Sequence, residues 1–406
     1  MLAGLAWRNL WRHPRRTLLN VISIAFASLI MVFLLSFQLG TYASMKENVL
    51  RIMDGFAQIQ PLGYRDNPEI RKVIDHPEVT LKRLQAIDGV GTAAPRAESF
   101  AILSNGEKSI GAAVVGIDPQ REMLVSHLYH SIRHGRYLQK DDQAAIVLGA
   151  ALARNLGVGV GDSVSLLGQA RDGSIAADVL SVVGIFSTGM PEIDRQFSEI
   201  PLTRFQASFG MDSAVNLIVI SGPSLTGVTQ ALPRVRKALS DARLSVVSWQ
   251  ELQPGLNAAI SLDLSTSMLW YVSLVIVVVF IILNTLLMAV LERTREFGVL
   301  LAVGMRPSSL GSMIWMELLL LTLLGLAVGL AVGSGITLAI GHYGLEMPGA
   351  EAIFAQWGLP GKLYPRLSLL SLSAGPGAMA ICILIAGIFP YRRVRSLEPV
   401  TAMRSA

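Results

Sequence analysis

LWYVSLVIVVVFIILNTLLMAVL, residues 269–291, reads without a single charged side chain. The uncharged window around it runs from Asp263 to Glu292. A helix needs about 20 apolar residues to cross the hydrocarbon of a bilayer, so the window is long enough to span. Working outward, three more such windows lie between Arg16 and Lys46, between Glu317 and Glu346, and between Arg366 and Arg392. The apolar part of the first, Leu18 to Leu39, would cover roughly 33 Å as a helix. That is too long for the apolar region of a secretory signal peptide, and no convincing small-residue cleavage site follows it. Composition agrees: 52% of the 406 residues are apolar and 16% charged, with a mean hydropathy of +0.51. Soluble domains rarely combine these values. The stretch between the first two windows, about 220 residues, has ordinary soluble composition and is long enough for a core of its own. The expected fold is an α-helical membrane protein with four transmembrane helices plus a large α+β extracytoplasmic domain between helices 1 and 2.

The formal net charge is +5, and the basic residues cluster beside the apolar windows. Arg8, Arg12, Arg15 and Arg16 precede the first, Arg293, Arg295 and Arg306 follow the second, and Arg392, Arg393, Arg395 and Arg404 follow the fourth. The loop between the third and fourth carries only Lys362 and Arg366. This asymmetry is a topology signal rather than a nucleic-acid patch, and by the positive-inside rule it places both termini in the cytoplasm. Trp7 and Trp11, four apart with arginines beside them, predict a short amphipathic helix lying in the inner interface. The expected division is 1–16 cytoplasmic amphipathic helix, 17–44 first span and stalk, 45–262 extracytoplasmic domain and 263–291 second span. Then come 292–312 cytoplasmic segment, 313–341 third span, 342–366 extracytoplasmic loop, 367–391 fourth span and 392–406 cytoplasmic tail. Residues 41–56 and 252–265 are expected to continue the membrane helices outward as stalks.

Within the domain, VTLKRLQAID and GVGTAAPRAESFAIL read as helix then strand, and residues 214–250 as strand, helix, strand. An α/β part is therefore expected from 57–107 together with 206–250. The short apolar runs IGAAVVGID, AAIVLG, DSVSLLG and VLSVVGIF with their Gly-rich turns predict an inserted β-rich lobe at 108–205.

The apolar cores hold no Asp, Glu, Lys or Arg, which counts against a proton- or ion-coupled carrier. Asn20, Gln38 and Asn284 are polar residues that would serve helix–helix contact. Gly325, Gly329 and Gly333, spaced by four, form a smooth stripe for close approach of another helix. No G-x-x-x-x-G-K-[ST] loop, G-x-S-x-G elbow or H-E-x-x-H helix occurs, so neither nucleotide binding of the P-loop kind nor those hydrolytic chemistries are expected here. The one cysteine, Cys382, allows no intrachain disulfide. In SHLYHSIRHGRY, spacings of three and four would put His127, His130 and His134 roughly on one face of a helix. No acidic ligand follows closely and Gly135 ends the segment, so this reads as a solvated polar face rather than a metal site.

ERTREFGVLLAVGMRPSSL, residues 292–310, strongly resembles the signature after the second span of FtsX/MacB-type permeases of ATP-binding-cassette systems. AWRNLWRHPRRTLLNVISI resembles that family's opening and FPYRRVRSLEPVTAMR its ending. VVGIDP, VLGAALARNLGVGVGDSVSLL and VVGIFSTGMPEIDRQFSEIPL are similar to its periplasmic core. The resemblance covers essentially the whole chain. It implies a bacterial inner-membrane permease, not itself an enzyme, that works by mechanotransmission with a separate cytoplasmic ATPase dimer. ATP and magnesium would sit on that partner, and no cofactor on this chain. It also implies a second permease copy or a paralogue as partner. Glu292, Arg293, Arg295, Glu296, Phe297, Gly298, Leu300 and Gly304 would form the ATPase-docking coupling segment. There the charges mark the membrane boundary, while Phe297, Val299, Leu300 and Leu301 offer a short apolar face to a groove. FSTGMPEIDRQFSEIPL is similar to lipoprotein-releasing permeases of the LolC/LolE type, which implies that acyl chains enter between the first two spans. A periplasmic carrier or adaptor would then receive the substrate. Two other readings stay open: a signalling scaffold that activates a periplasmic wall hydrolase, and the permease of a tripartite efflux pump.

Overall fold

The computed structural model describes residues 2–239, 241–346, 348–349, 354 and 361–395. Residues 347, 350–353 and 355–360 of the loop expected at 342–366, and 396–406 of the expected tail with Arg404, lie outside the described residues. The chain divides into two units, one of Met1–Ala43, Ala259–Glu346 and Lys362–Ala406, the other of Ser44–Ala258 and Met347–Gly361.

α1 (Leu2–Leu10) is followed by a turn and by α2 (Pro14–Val49), which continues as a π-helical turn, Leu50–Asp54. Proline suits a helix start because the N–H it lacks would have no intrahelical partner there. Gly55, at φ 68°, ends the run in a conformation that a side chain would strain. The α/β unit then carries β1 (Ala57–Pro61), α3 (Pro77–Gln85), β2 (Thr92–Ser104), β3 (Ser109–Ile117), α4 (Pro119–Val125), β4 (Ile132–Gly135), β5 (Ala145–Gly149) and α5 (Ala150–Leu156). It continues with β6 (Ser163–Gln169), β7 (Ile175–Phe186), α6 (Pro191–Gln196), β8 (Phe197–Pro201), α7 (Leu202–Phe209), β9 (Leu217–Ser221), α8 (Leu225–Ala238), β10 (Leu244–Ser248) and α9 (Trp249–Leu252).

These strands form one ten-stranded sheet in the order β10-β1-β9-β2-β3-β8-β5-β7-β4, with β6 pairing β2 and β7. The β3–β8 and β5–β7 pairs are parallel. β1, β5, β8 and β9 are buried at every position; β5 and β9 are largely apolar runs covered on both faces, while β1 and β8 also bury Gln58, Gln60, Ser198 and Glu199. α3 and α8 cover one part through Leu81, Leu84, Val228 and Val235. α5 and α7 cover the other through Leu152, Leu156, Phe205 and Phe209. The boundary expected at residue 108 falls inside the β2–β3 hairpin, whose register runs from Arg96↔Ile117 to Ser104↔Ser109. β2, 13 residues long, pairs β9 with its first half and β3 and β6 further along. The inserted lobe is therefore continuous with the α/β part through a shared strand.

The histidines do not share the face of a helix. Leu128–Ser131 is a 3₁₀ turn and Ile132–Gly135 is β4, held by ladder bonds to β7. His127 and His130 have ring centroids 5.8 Å apart, while His134 stands on the strand. Sheet pairing outweighs the local helical spacing. Beneath the sheet, buried Arg96 pairs with buried Glu122 at 2.5 Å, and the Tyr137 hydroxyl donates to Glu199 Oε2 at 2.6 Å. Burial, then the neighbouring Glu122, push the Glu199 carboxyl well above the ordinary carboxylate range.

The helical unit resumes with α10 (Pro254–Glu292), α11 (Thr294–Ala302), α12 (Pro307–Tyr343), a small β11 (Leu345–Glu346) and β12 (Lys362–Leu363) pair, α13 (Leu369–Ala386) and α14 (Ile388–Arg395). Pro14–Asp54, Pro254–Glu292, Pro307–Tyr343 and Leu369–Arg395 are long and apolar enough to cross a membrane. The α/β domain lies between the first and second of them. Ile24, Met31, Ile282, Leu286, Leu318, Met379 and Ile383 form the centre of the helical core. α1 packs on α12 through its buried Ala6 and Leu10 and leaves Trp7 and Trp11 exposed. Two of the four passages of the chain between the units, at 43/44 and at 258/259, fall inside helices, α2 and α10.

Candidate coupling interface

α10 ends at Glu292, Arg293 adopts φ −101°, ψ 7°, and α11 starts at Thr294. Gly304 at φ +102° makes the turn that follows, and Pro307 begins α12. The eight residues assigned to docking thus lie on a helix end, a short helix and a tight turn.

Their side chains do not share one face. Phe297 is 2% exposed and Leu301 9%, and both pack into the helical unit's own core with Leu300 against it. Gly298 is buried as well. Phe297 and Leu301 are therefore spent on holding α11 to its bundle and cannot enter a partner's groove, because residues four apart share a helix face. The outward face carries Arg295, Glu296, Val299, Ala302, Val303 and Gly304. Val299 is 51% exposed and Val303 82%, so the apolar contact open to a partner comes from these two valines.

Arg293 is also turned inward. Its guanidinium donates from Nη2 to Asn9 Oδ1, approaches Glu317 Oε2 at 3.7 Å and Glu296 Oε2 at 3.5 Å, and lies over the Phe297 ring at 5.7 Å. Asn9 Nδ2 in turn donates to Glu317 Oε2 at 3.4 Å. Arg16 reaches Glu292 at 3.3 Å and donates to the Thr285 carbonyl. Arg12 stands 3.7 Å from Glu296. This polar knot joins α1, α2, α10, α11 and α12. Arg293 is a positioning group here, and Glu296 and Glu292 serve inside the subunit as well as at its boundary.

At the other end of the same two helices a second network pins α2 to α10. Gln38 Nε2 lies 3.0 Å from Asp263 Oδ2 and 2.6 Å from Ser267 Oγ, Tyr271 OH donates to Gln38 Oε1 at 3.2 Å, and Tyr42 OH donates to Asp263. Between the two networks a cavity of about 300 Å³ opens, walled by Met31 and Leu35 of α2, Met268, Tyr271 and Val275 of α10, and Ala378 of α13. Its walls are almost wholly apolar.

The glycine stripe of α12 faces α2. A Cβ at Gly325 would meet Ile24 Cβ at 2.6 Å, one at Gly329 would meet the Ala25 carbonyl oxygen at 2.5 Å, and one at Gly333 would meet Leu29 Cα at 3.1 Å. The backbones approach too closely for side chains there. Asn9, Glu317, Tyr42, Asp263, Ser267 and Tyr271 were not singled out from sequence. Asp263 and Glu317 stood out only as charges that bound apolar windows, and nothing in their spacing announces partners on other helices.

The profile described as MacB-like periplasmic core domain matches residues 17–238, and that described as FtsX-like permease C-terminal matches residues 268–399. An uncharacterized ABC transporter permease of Methanocaldococcus jannaschii is 23% identical, covering 98% of this chain and 96% of its own. A lipoprotein-releasing system transmembrane protein LolC of Neisseria meningitidis serogroup B is 22% identical, covering 96% of this chain and 94% of its own. A macrolide export ATP-binding/permease protein MacB of Hyphomonas neptunium is 26% identical over 80% of this chain, which spans 49% of that protein.

Proposed function

The chain belongs to the family of the MacB-like periplasmic core domain, carries an FtsX-like permease C-terminal, and is an ABC transporter permease of the MacB and LolC type; from that premise we propose that it draws a lipoprotein, or another lipidated or hydrophobic substrate, out of the outer leaflet of the inner membrane. The observation that carries this reading is the apolar cavity between α2, α10 and α13. An apolar slot bounded by three spans and polar at its Gln38–Asp263 end suits an acyl chain whose attached body stays outside the hydrocarbon. Moving a chain from lipid into such a slot is close to neutral. Drawing it into water would cost about 0.8 kcal/mol per CH₂, roughly 12 kcal/mol for a chain of about sixteen carbons. The transfer therefore needs an energy source and an acceptor with an apolar surface of its own.

Members of this family work with cytoplasmic ABC ATPases. In this reading both termini are cytoplasmic, and an ATPase dimer that holds ATP and magnesium docks on Val299 and Val303 with Arg295 and Arg306 around them. A second copy or a paralogue completes the pair. Closure of the ATPase moves α11 and hence α10 and α2, which lead by unbroken helix into the α/β domain. That domain hands the substrate to a carrier or adaptor. The match to a macrolide exporter favours efflux of a small hydrophobic compound as a second reading.

The test is reconstitution of the full chain with its ATPase in proteoliposomes that contain a labelled lipoprotein. Ala378→Phe, which fills the slot, should abolish ATP-driven release and leave basal ATP hydrolysis in place. Undiminished lipoprotein release by A378F would refute the assignment. ATP-driven movement of a macrolide, with no lipoprotein retained when hydrolysis is blocked, would establish the efflux reading instead.

A further inference from the structure

A second cavity, of about 680 Å³, opens where the α1–α2 turn faces α10. Its walls are Arg12 to Arg16 on one side and Asn284, Thr285, Met288 and Glu292 on the other. Three guanidinium groups face a single carboxylate. Arg16 is engaged by Glu292 and the Thr285 carbonyl, and Arg12 stands 3.7 Å from Glu296 while keeping 60% of its side chain exposed. Among the described residues Arg15 has no acidic partner, and it is exposed. The lining therefore keeps an uncompensated positive charge at the end of a transmembrane helix pair.

The α10 wall adds an independent observation. Asn284 is exposed in the long uncharged stretch of α10, and among the described residues its amide has no hydrogen-bond partner. A carboxamide set bare against hydrocarbon is expensive unless something polar reaches it. Asn284 lies two turns, roughly 12 Å, from Glu292, with Met288 on the same face between them. Beyond it, α10 exposes Phe280 and Ile281. Along one wall, then, come cations, a methionine, an amide and bare hydrocarbon-facing side chains. A membrane lipid presents the matching order: phosphate, glycerol esters, acyl chains.

We propose that this cavity binds the phosphate-bearing headgroup of an anionic membrane lipid, with Arg12 and Arg15 on the phosphate and the Asn284 amide on the glycerol ester region. The site lies on α2 and α10 but outside the apolar slot, so it does not depend on which cargo the permease carries. A bound lipid would tie the α1–α2 turn to α10 and stiffen the end of the bundle next to α11. A free phosphate offers the same anion chemistry but would use only the arginine end.

The test uses the full chain in phosphatidylcholine nanodiscs, with and without a minor fraction of phosphatidylglycerol, and native mass spectrometry to count retained lipids. The wild type should retain phosphatidylglycerol over phosphatidylcholine. Arg15→Gln should lower that preference about fivefold, the effect of one arginine near an anionic surface. Asn284→Leu should lower it too. Arg8→Gln removes the same charge from an exposed position outside the cavity and should lower it by clearly less than R15Q. Equal losses in R8Q and R15Q would overturn the site in favour of diffuse attraction. Displacement of the lipid by inorganic phosphate, with N284L behaving as wild type, would overturn the lipid reading in favour of a soluble anion.

Discussion

Replacing Arg293 by leucine should destabilise the helical unit by about 3 kcal/mol and leave most of that loss recoverable by a second change. The Arg293 side chain is 9% exposed and that of Glu317 15%, with 3.7 Å between Nη1 and Oε2. Two unit charges at that distance attract by about 4.5 kcal/mol at an effective dielectric constant of about 20. Desolvation of both groups opposes this, and Arg293 Nε makes no hydrogen bond among the described residues, with only Glu296 Oε2 at 3.5 Å beside it, so the pair is incompletely satisfied. Removing one member of a buried pair costs about 3 to 5 kcal/mol, because the other charge stays buried alone. The missing hydrogen bond at Nε, and Glu296 as a second ionic neighbour, place this pair at the lower end. Arg293→Leu with Glu317→Leu should return to within about 1 kcal/mol of wild type, since apolar replacement of a whole buried pair is often neutral. The assay is unfolding of the full chain in mixed micelles by increasing sodium dodecyl sulfate, followed by circular dichroism and completed as a double-mutant cycle. A single-variant loss below about 0.5 kcal/mol, or a double variant that loses the sum of the two singles, would refute the claim that the knot holds α11.

The remaining predictions concern other parts of the molecule. Val303→Asp should abolish stimulation of the partner ATPase with little change in the micelle unfolding midpoint, whereas Phe297→Asp should lower that midpoint strongly; the opposite pattern would return the docking face to Phe297. Gly329→Ala should cost about 1–3 kcal/mol in the same unfolding assay, because its Cβ would press on the Ala25 carbonyl, while Gly335→Ala, with open space around it, should be close to neutral. Because burial raises the Glu199 carboxyl, its contribution to α/β-domain stability is fully present below the ordinary carboxylate range and is lost as pH rises towards and through its folded value. Thermal unfolding of the full chain should thus show a domain transition that falls between about pH 5 and about pH 8.5, and Glu199→Gln should flatten that fall.

The span count and the place of the α/β domain were legible because hydrocarbon imposes a local rule: about twenty uncharged residues in a row. Most strands of the domain, with α3 and α8, were legible for a similar reason, since runs such as VTLKRLQAID and AAIVLG show their character within a few residues; α4, α5, α6, α7 and α9 were not. β1 was not, because AQIQP alternates too briefly to stand out beside a stalk. The spacing of the histidines suits a helix face, but the chain around His134 pairs with β7. The unity of the sheet was hidden as well. Only the long-range pairing of β2 with β9, β3 and β6 shows that the expected lobe shares a strand with the rest.

The coupling segment divides in the same way. Its location after the second apolar window, its charges and its turn glycine could be read from residues 292–310 alone. Which side of α11 faces a partner could not, because Phe297 and Val299 are equally apolar on paper and only packing into the helical core separates the 2% exposed from the 51% exposed. The four windows that opened the reading are properties of consecutive residues, and the sequence by itself determined them. The knot at Arg293, the Gln38–Asp263 network and the two cavities join residues more than 200 positions apart. Tertiary structure alone decided those, since only the folded bundle brings such groups within reach of one another.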